Sequence, residues 1–355
     1  SGSTGKAKGA MHLHGSLMWT VALYARPILG IEPDDVVYSA AKLFFAYGLG
    51  NALTFPLAVG ATSVLCADRP SPATVTRVLR RHQPTIFGGV PTLFASLLAD
   101  PGLSPATTSP RLRVSTSAGE ALPRHIGERW RERMASDILD GIGSTEMLHI
   151  FLSNRPGDLR YGTTGRPVPG YDLELRGDDD RTPLPPTSAA DAAADAAGDT
   201  EGALWVRGPS CCIAYWNDRS RSLAAFHGPW TRTGDRYTRH ADGTWTYSGR
   251  ADDMLKVGGI WVSPFEVESA LAAHPAVLEA AVVGAEDADG LTKPKAFVVL
   301  RDPASTSPDL IPALQAFVKT ALAPFKYPRW IELVPELPKT ATGKIQRFKL
   351  RPPAG

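Results

Sequence analysis

Tyr247-Ser-Gly-Arg250-Ala-Asp252-Asp253-Met-Leu-Lys256-Val-Gly258-Gly259-Ile-Trp-Val-Ser-Pro264 reads as the end of a strand, a charged turn and the start of a helix. The run from Thr244 to Tyr247 has strand character and stops at Gly249. One cation, two adjacent carboxylates and a lysine follow, then a Gly-Gly pair free to adopt backbone angles that other residues avoid. Beyond Pro264, the residues Phe265, Val267, Ala270 and Leu271 fall at amphipathic-helix spacing. Taken alone, the pattern also fits a hairpin turn with solvated charges. The rest of the chain decides between a plain turn and a junction.

The chain has 355 residues, enough for roughly two domains at ~150 residues each. Its 43% hydrophobic and 21% charged fractions are those of a globular protein with buried cores. A net charge of +2 gives no strong pull toward nucleic acid or an anionic membrane. Cys66, Cys211 and Cys212 lack metal-ligand spacing and read as reduced thiols, which points to a cytoplasmic protein. No apolar run reaches the ~18 residues of a membrane span.

Ser1-Gly-Ser3-Thr4-Gly5-Lys6-Ala7-Lys8-Gly9 is dense in glycine, hydroxyls and lysine. Such loops wrap anionic oxygens with backbone N–H groups, hydroxyl donors and an ammonium, although the spacing is not that of a Walker A loop. Residues 11–29 read as a helix, with His12 and His14 as packing or capping groups near its start. Between Ser39 and Asn51, aromatics interleave with glycines around Ala46, Tyr47 and Gly48, giving either a flat-walled slot or an ordinary packed core. Residues 52–64 read as a helix running into a buried strand, 72–82 as a helix and 85–90 as a strand. Strands alternating with helices imply a parallel, covered sheet. Ligands bind past the carboxyl ends of such strands. There Gly119 lets a flat base lie against backbone, Thr145 offers a hydroxyl to phosphate, and Glu146 offers a hard oxygen to Mg²⁺. A mostly β region follows residue 162, interrupted by 177–200, which lacks apolar periodicity and reads as a mobile surface insertion. Residues 230–236 read as a tight turn presenting Asp235. Past Pro264, roughly a hundred residues of mixed α/β pattern form a small domain.

Together these motifs resemble the adenylate-forming ligases: acyl-CoA synthetases, luciferases and peptide-synthetase adenylation domains. The opening loop is similar to [ST]-S-G-[ST]-T-G-x-P-K-G, with Ala7 in place of the proline. Ser117 to Leu122 matches S-x-G-E-x-L, and 142–146 matches Y-G-x-T-E with Ile142 in place of the tyrosine. Ala203 stands where the family has the glutamate of Gly-Glu-Leu, Thr233 to Asp235 matches T-G-D, and 338–347 matches P-K-T-x-x-G-K-[IV]-x-R. The runs 39–51 and 141–151 look most like benzoate- and hydroxybenzoate-CoA ligases. The resemblance extends from Ser1 to about Arg351. It implies an α/β fold: a large N-terminal domain of parallel sheet layers plus a small β region, in residues 1–250, then a small mobile α+β C-terminal domain in residues 251–355. Family members carry a long segment before this point, so the N-terminal domain is expected to be incomplete here.

The resemblance also implies an activity and a site. The activity is that of an ATP-dependent aryl-CoA ligase, which activates benzoate or a substituted benzoate as the acyl-adenylate with Mg²⁺ and passes it to CoA. Lys344, Thr145, Glu146 and Lys256 are the catalytic candidates, with Glu146 also the metal ligand. Ser1, Ser3, Thr4, Gly5, Lys8, Gly119, Glu120, Ala121, Asp140, Gly141, Ile142, Asp235 and Arg250 would hold the nucleotide. Ala46, Tyr47, Gly48, Gly143, His149 and Ile150 would line the acyl pocket. Asp252 would be the hinge, and Gly258 and Gly259 would leave a channel for the pantetheine arm of CoA. The partners implied are the aromatic acid, ATP and CoA, with no nucleic acid and no membrane, and a homodimer is left open. Two alternatives stand beside this reading. One is an aryl-adenylation domain that loads a carrier protein, separable by thioester formation with free CoA. The other is a non-catalytic nucleotide-binding remnant, suggested by Ala7, Ile142 and Ala203 and recognisable by binding without turnover.

Overall fold

Three strands with every residue buried, Ile86–Gly89, Val114–Ser117 and Ile150–Ser153, mark the centre of the fold in this computed structural model. The structure describes residues 7–177, 179, 182–184, 199–251, 253–258, 260–339 and 345–351. Most of the 177–200 stretch therefore lies outside the described residues. The three strands belong to a seven-stranded sheet in the order Thr62–Val64, Val36–Ser39, Ile86–Gly89, Val114–Ser117, Asp137–Gly143, Ile150–Ser153, Arg166–Pro167. The first five run parallel, and the last two join antiparallel.

Successive side chains of a strand point to opposite faces, and both faces here are covered. Tyr38, Phe87 and Ile138 enter one core with Val75, Val78, Leu79, Phe94 and Trp130 from helices Pro72–His82, Pro91–Leu98 and Arg124–Met134. Val37, Ile86, Val114 and Leu139 enter another with Val21, Tyr24, Ile28 and Phe55. Parallel pairing puts the carboxyl ends of the strands at one edge, at Ser39, Gly89, Ser117 and Gly143.

The chain divides into two compact units, Ser1–Thr233 with Tyr237–Tyr247, and Gly234–Arg236 with Ser248–Gly355. In the second unit, Val277–Glu286 pairs antiparallel with Thr292–Leu300, which pairs parallel with Trp330–Leu333. Helices Pro264–Ala272 and Leu310–Ala321 cover one face through Val267, Leu271, Leu314 and Val318 on Val282 and Val298. The other face packs Ala281, Val283, Phe297 and Val299 against Leu337. Ser263 caps the first of these helices, its hydroxyl accepting from the Glu266 N–H at 3.2 Å. No helix among the described residues is long and apolar enough to cross a membrane.

Three local expectations differ from the structure. Residues 11–29 do not form one helix. Ala10–Met11 is a strand, Gly15–Thr20 an α-helix, and Val21–Leu29 a wider π-type winding that contains Pro27. Proline has no N–H to give to the i−4 carbonyl, so a regular ladder cannot pass through it. The 52–64 segment ends its helix at Val59, and in the strand Thr62–Val64 only Val64 is buried because this strand is the sheet edge. Residues 230–236 are not a tight turn but part of the strand Trp230–Arg239, bent at Gly234, where φ is +77° and a Cβ would come within 2.8 Å of Arg250 Nη2.

One buried ion pair anchors the end of the second unit. Glu268 is 7% exposed. It accepts from Arg347 Nε at 2.9 Å, from Arg347 Nη2 at 2.7 Å and from the Val282 N–H at 2.7 Å. Residues 340–344 lie outside the described residues, but their flanks are tied: Gln346 N–H donates to the Pro338 carbonyl at 2.8 Å, and Lys339 pairs with Glu279 at 2.6 Å. Replacing Glu268 by alanine removes the acceptor from two guanidinium N–H groups and one backbone N–H. The expected cost is about 3 kcal/mol of stability, read as a lower urea midpoint for the second unit, and an unchanged midpoint would show that the pair is dispensable.

Candidate active site

The strand Asp137–Gly143 delivers its carboxyl end into Ser144, Thr145 and Glu146. The Leu148 N–H then closes a turn on the Thr145 carbonyl at 3.2 Å, with Leu148 at φ +66°, uncommon for a branched side chain. The turn sets a polar Glu146 and a core His149 three residues apart on one short stretch of backbone.

Glu146 is only 9% exposed, and Tyr215 Oη donates to its Oε1 at 2.7 Å. Lys8 Nζ donates in turn to Tyr215 Oη at 3.3 Å and stands 4.6 Å from the ring centroid. Burial, then the bond to Glu146, pushes the Tyr215 phenol up, so it remains a donor. Backbone pairing builds this arrangement: Ala10 and Met11 face Tyr215 and Ala214 in an antiparallel pair, and the Trp216 N–H donates to the Gly9 carbonyl at 2.7 Å. The Cys212 N–H donates to the Glu146 carbonyl at 2.8 Å. His12 Nε2 lies 2.7 Å from the Thr145 carbonyl and therefore donates to it. His12 thus clamps the turn rather than capping a helix. Lys8 is described, but Ser1, Ser3, Thr4 and Gly5 lie outside the described residues.

Two of the acyl-pocket candidates, Tyr47 and His149, meet in a packed aromatic cluster. His149 is 2% exposed, with its ring centroid 4.6 Å from Phe55, 4.9 Å from Tyr24 and 5.7 Å from Tyr47. Burial holds His149 down at about 3, with only the Tyr47 backbone acting against it, so the imidazole is neutral. Tyr47 Oη donates to the Thr116 carbonyl at 3.0 Å, which fixes its ring. Two glycines are needed by close backbone approach: a Cβ on Gly48 would sit 2.1 Å from the Lys42 carbonyl oxygen, and one on Gly143 would sit 2.4 Å from that of His149. Ile150 is buried beside His149 in the sheet, and Ala46 is half-buried at the start of Ala46–Leu49.

The nucleotide candidates of the first unit lie at neighbouring strand ends. Gly119 is exposed, with open space where a Cβ would stand, and Glu120 and Ala121 are half-buried after it. Asp140 is buried inside the sheet, where burial pushes its carboxyl well above the usual range against the Leu122 and Gly141 N–H groups and the Ser117 hydroxyl. Gly141 is buried and Ile142 half-buried. In the second unit, Arg250 Nη1 meets Asp235 Oδ1 at 3.1 Å. Lys256 is exposed on the hairpin formed by Leu255–Val257 and Ile260–Val262, opposite Trp261, with Gly258 exposed at its turn. Asp252, Gly259 and Lys344 lie outside the described residues.

Among the described residues, no three His, Cys, Asp or Glu side chains converge on one point. A single fixed carboxylate, Glu146, beside a lysine-bearing loop still fits Mg²⁺, which takes one or two carboxylates together with substrate phosphates and water. Tyr215, Tyr24 and Phe55 were not singled out from sequence. The strand that carries Tyr215 is two residues long, too short to leave a periodic signal.

The neutral His149 makes a pH prediction. An unfolded histidine takes up a proton near pH 6.5, whereas folded His149 resists it down to about 3. Its contribution therefore falls as pH drops below about 6.5, by up to about 1.4 kcal/mol per pH unit. Asp140, with its raised carboxyl, acts in the opposite direction, so the comparison must be with a variant. His149→Asn should lose this part of the acid-side slope in urea titrations from pH 7 to pH 4, and parallel curves would contradict burial of a neutral ring.

The chain matches the AMP-binding enzyme family over residues 1–216 and the AMP-binding enzyme C-terminal domain over residues 266–344. It is 61% identical over 351 residues to a benzoate–CoA ligase of Thauera aromatica, covering 99% of this chain and 64% of that protein. It is 52% identical to a 4-hydroxybenzoate–CoA/benzoate–CoA ligase of Rhodopseudomonas palustris, covering 99% of this chain and 63% of the relative. A solved benzoate CoA ligase from Burkholderia xenovorans superposes with a TM-score of 0.88 at 55% identity, over 97% of this chain and 67% of that one. An anthranilate CoA ligase solved with anthranoyl-AMP gives 0.90 at 44%, over 99% of this chain and 65% of that one. The chain thus spans somewhat less than two thirds of the length of these curated relatives. It belongs to the AMP-binding enzyme family, with the family's main region in residues 1–216 and its C-terminal domain in residues 266–344.

Proposed function

We propose that this chain is the catalytic part of an ATP-dependent aryl-CoA ligase acting on benzoate or a substituted benzoate. One observation carries the reading: Lys8, Thr145 and Glu146 are gathered by hydrogen bonds within one unit, three residues from a neutral, aromatic-walled His149. The acid's flat ring would sit against the aromatic cluster that His149 forms with Tyr24, Tyr47 and Phe55. The uncharged imidazole leaves the acid's carboxylate as the anion to be activated.

A carboxylate oxygen is a poor leaving group, so the acid is first joined to AMP. Its oxygen attacks the α-phosphorus of ATP, the bond to the bridging oxygen breaks, and pyrophosphate leaves. The protein's part is to position the groups and to balance charge. Lys8 with the loop at 1–9 and the Thr145 hydroxyl hold phosphate oxygens, Gly119 to Ala121 accept the base, and Asp235 with Arg250 takes the ribose. Glu146 would hold Mg²⁺, which draws charge from the phosphate oxygens when bound. Lys344 bridges the carboxylate and the α-phosphate. In the second half-reaction the CoA thiolate attacks the acyl carbon and AMP leaves. The residues after Asp252 swing so that Lys344 withdraws and Gly258 and Gly259 line the pantetheine path. The free thiols of Cys66, Cys211 and Cys212 fit a reducing compartment, the cytoplasm.

The two half-reactions separate the roles. Lys344→Ala is expected to slow adenylation by ~10²-fold or more, while thioester formation from premade benzoyl-adenylate and free CoA stays within a few-fold of wild type. Intact adenylation in the variant would remove Lys344 from the first step. Failure of wild type to use free CoA, with acyl transfer to a carrier protein instead, would replace CoA as the acceptor.

A further inference from the structure

Among the described residues, the Tyr215 hydroxyl stands between the phosphate-loop lysine and the candidate metal carboxylate. It accepts from Lys8 Nζ at 3.3 Å and donates to Glu146 Oε1 at 2.7 Å. We propose that Tyr215 is a positioning residue, which holds the Glu146 carboxylate in place for the divalent cation that accompanies the nucleotide. The inference rests on the reading of Glu146 as the metal carboxylate.

Three features support this role over simple packing. Tyr215 is 5% exposed, so its hydroxyl does not spend itself on bulk water, and a buried hydroxyl costs free energy unless it is bonded. Its backbone is fixed from both sides. The pair with Ala10 and Met11 sets its register, and the Tyr215 N–H donates to Ser222 Oγ at 2.9 Å, midway along the helix Arg219–Ala225. Third, the hydrogen bonds run in one direction, from ammonium to phenol to carboxylate. Each donor polarises the next, which strengthens the bond that holds Glu146. A carboxylate restrained in this way needs less ordering when the cation arrives. Hydrogen-bond partners behind a metal ligand commonly carry 10–100-fold in metal affinity. The same chain also couples the loop to the metal: a phosphate that draws Lys8 toward itself still leaves Tyr215 on Glu146.

The test uses Mn²⁺ as the probe and electron paramagnetic resonance as the readout, on the 355-residue chain with ATP and without any acid. Tyr215→Phe keeps the ring that packs 5.2 Å from Phe226 and removes one oxygen. The dissociation constant for Mn²⁺ in the presence of ATP is expected to rise ~10-fold, while ATP affinity in metal-free buffer changes by less than about three-fold. Glu146→Asp withdraws the carboxylate from the hydroxyl. It should weaken Mn²⁺ by itself and make Tyr215→Phe silent in the double variant. A thermal melt of Tyr215→Phe in metal-free buffer that matches wild type shows that the variant is folded where its Mn²⁺ constant is read. An unchanged Mn²⁺ constant in Tyr215→Phe, or additive losses in the double variant, would overturn the role of Tyr215. A wild-type chain with no ATP-dependent Mn²⁺ binding would overturn both this role and the metal reading of Glu146. Mn²⁺ binding that responds to Tyr215 in a chain with no benzoate-dependent turnover would keep the role and remove the proposed reaction.

Discussion

The pairing of Ala10 and Met11 with Tyr215 and Ala214 is the constraint on which the candidate site depends. It joins the exit of the glycine-rich opening loop to a strand so distant that Lys8 and Tyr215 are 207 residues apart. Without it, no local preference would bring an ammonium, a phenol and Glu146 together. The pair is short, but it does not stand alone. The Trp216 N–H on the Gly9 carbonyl extends it, and His12 on the Thr145 carbonyl ties the same loop exit to the end of the sheet strand. Several modest bonds, each worth about 1 kcal/mol, thus share the cost of ordering the backbone from Gly9 to His12.

The parallel sheet supplies the platform beneath. Strands buried on both faces must send their polar loops out at the ends, and parallel pairing collects one set of loops at a single edge. The Thr145–Leu148 turn uses that edge economically, with Glu146 leaving toward Tyr215 and His149 returning into the aromatic core. Burial then does the electrostatic tuning. It keeps the His149 imidazole neutral and the Tyr215 phenol protonated, so each has one fixed role over the ordinary pH range.

Much of this was legible in the sequence. The alternation of strand-like runs such as 85–90 with helical runs announced a parallel, covered sheet, and Ile86–Gly89 is a buried strand of it. Loops rich in glycine and hydroxyls at the ends of those runs marked the candidate residues, Thr145 and Glu146 among them. What was not legible has a common cause: it depends on contacts distant in sequence. Tyr215 sits in a strand of two residues, and its value comes from Lys8 and Glu146 on other segments. Tyr24 and Phe55 are core residues, and nothing in their local sequence marks them as neighbours of His149. The bend at Gly234 was mistaken for a turn because glycine beside aspartate serves both purposes, and only strand pairing distinguishes them.

The most direct test of the account is benzoate-dependent exchange of labelled pyrophosphate into ATP by this chain. Exchange requires reversible formation of the acyl-adenylate and nothing beyond it, so it isolates the step assigned to the site around Lys8, Thr145 and Glu146. The account predicts exchange well above the control without acid, at a rate that depends on divalent cation. A folded chain that binds ATP and benzoate and yet gives no exchange above that control would contradict it.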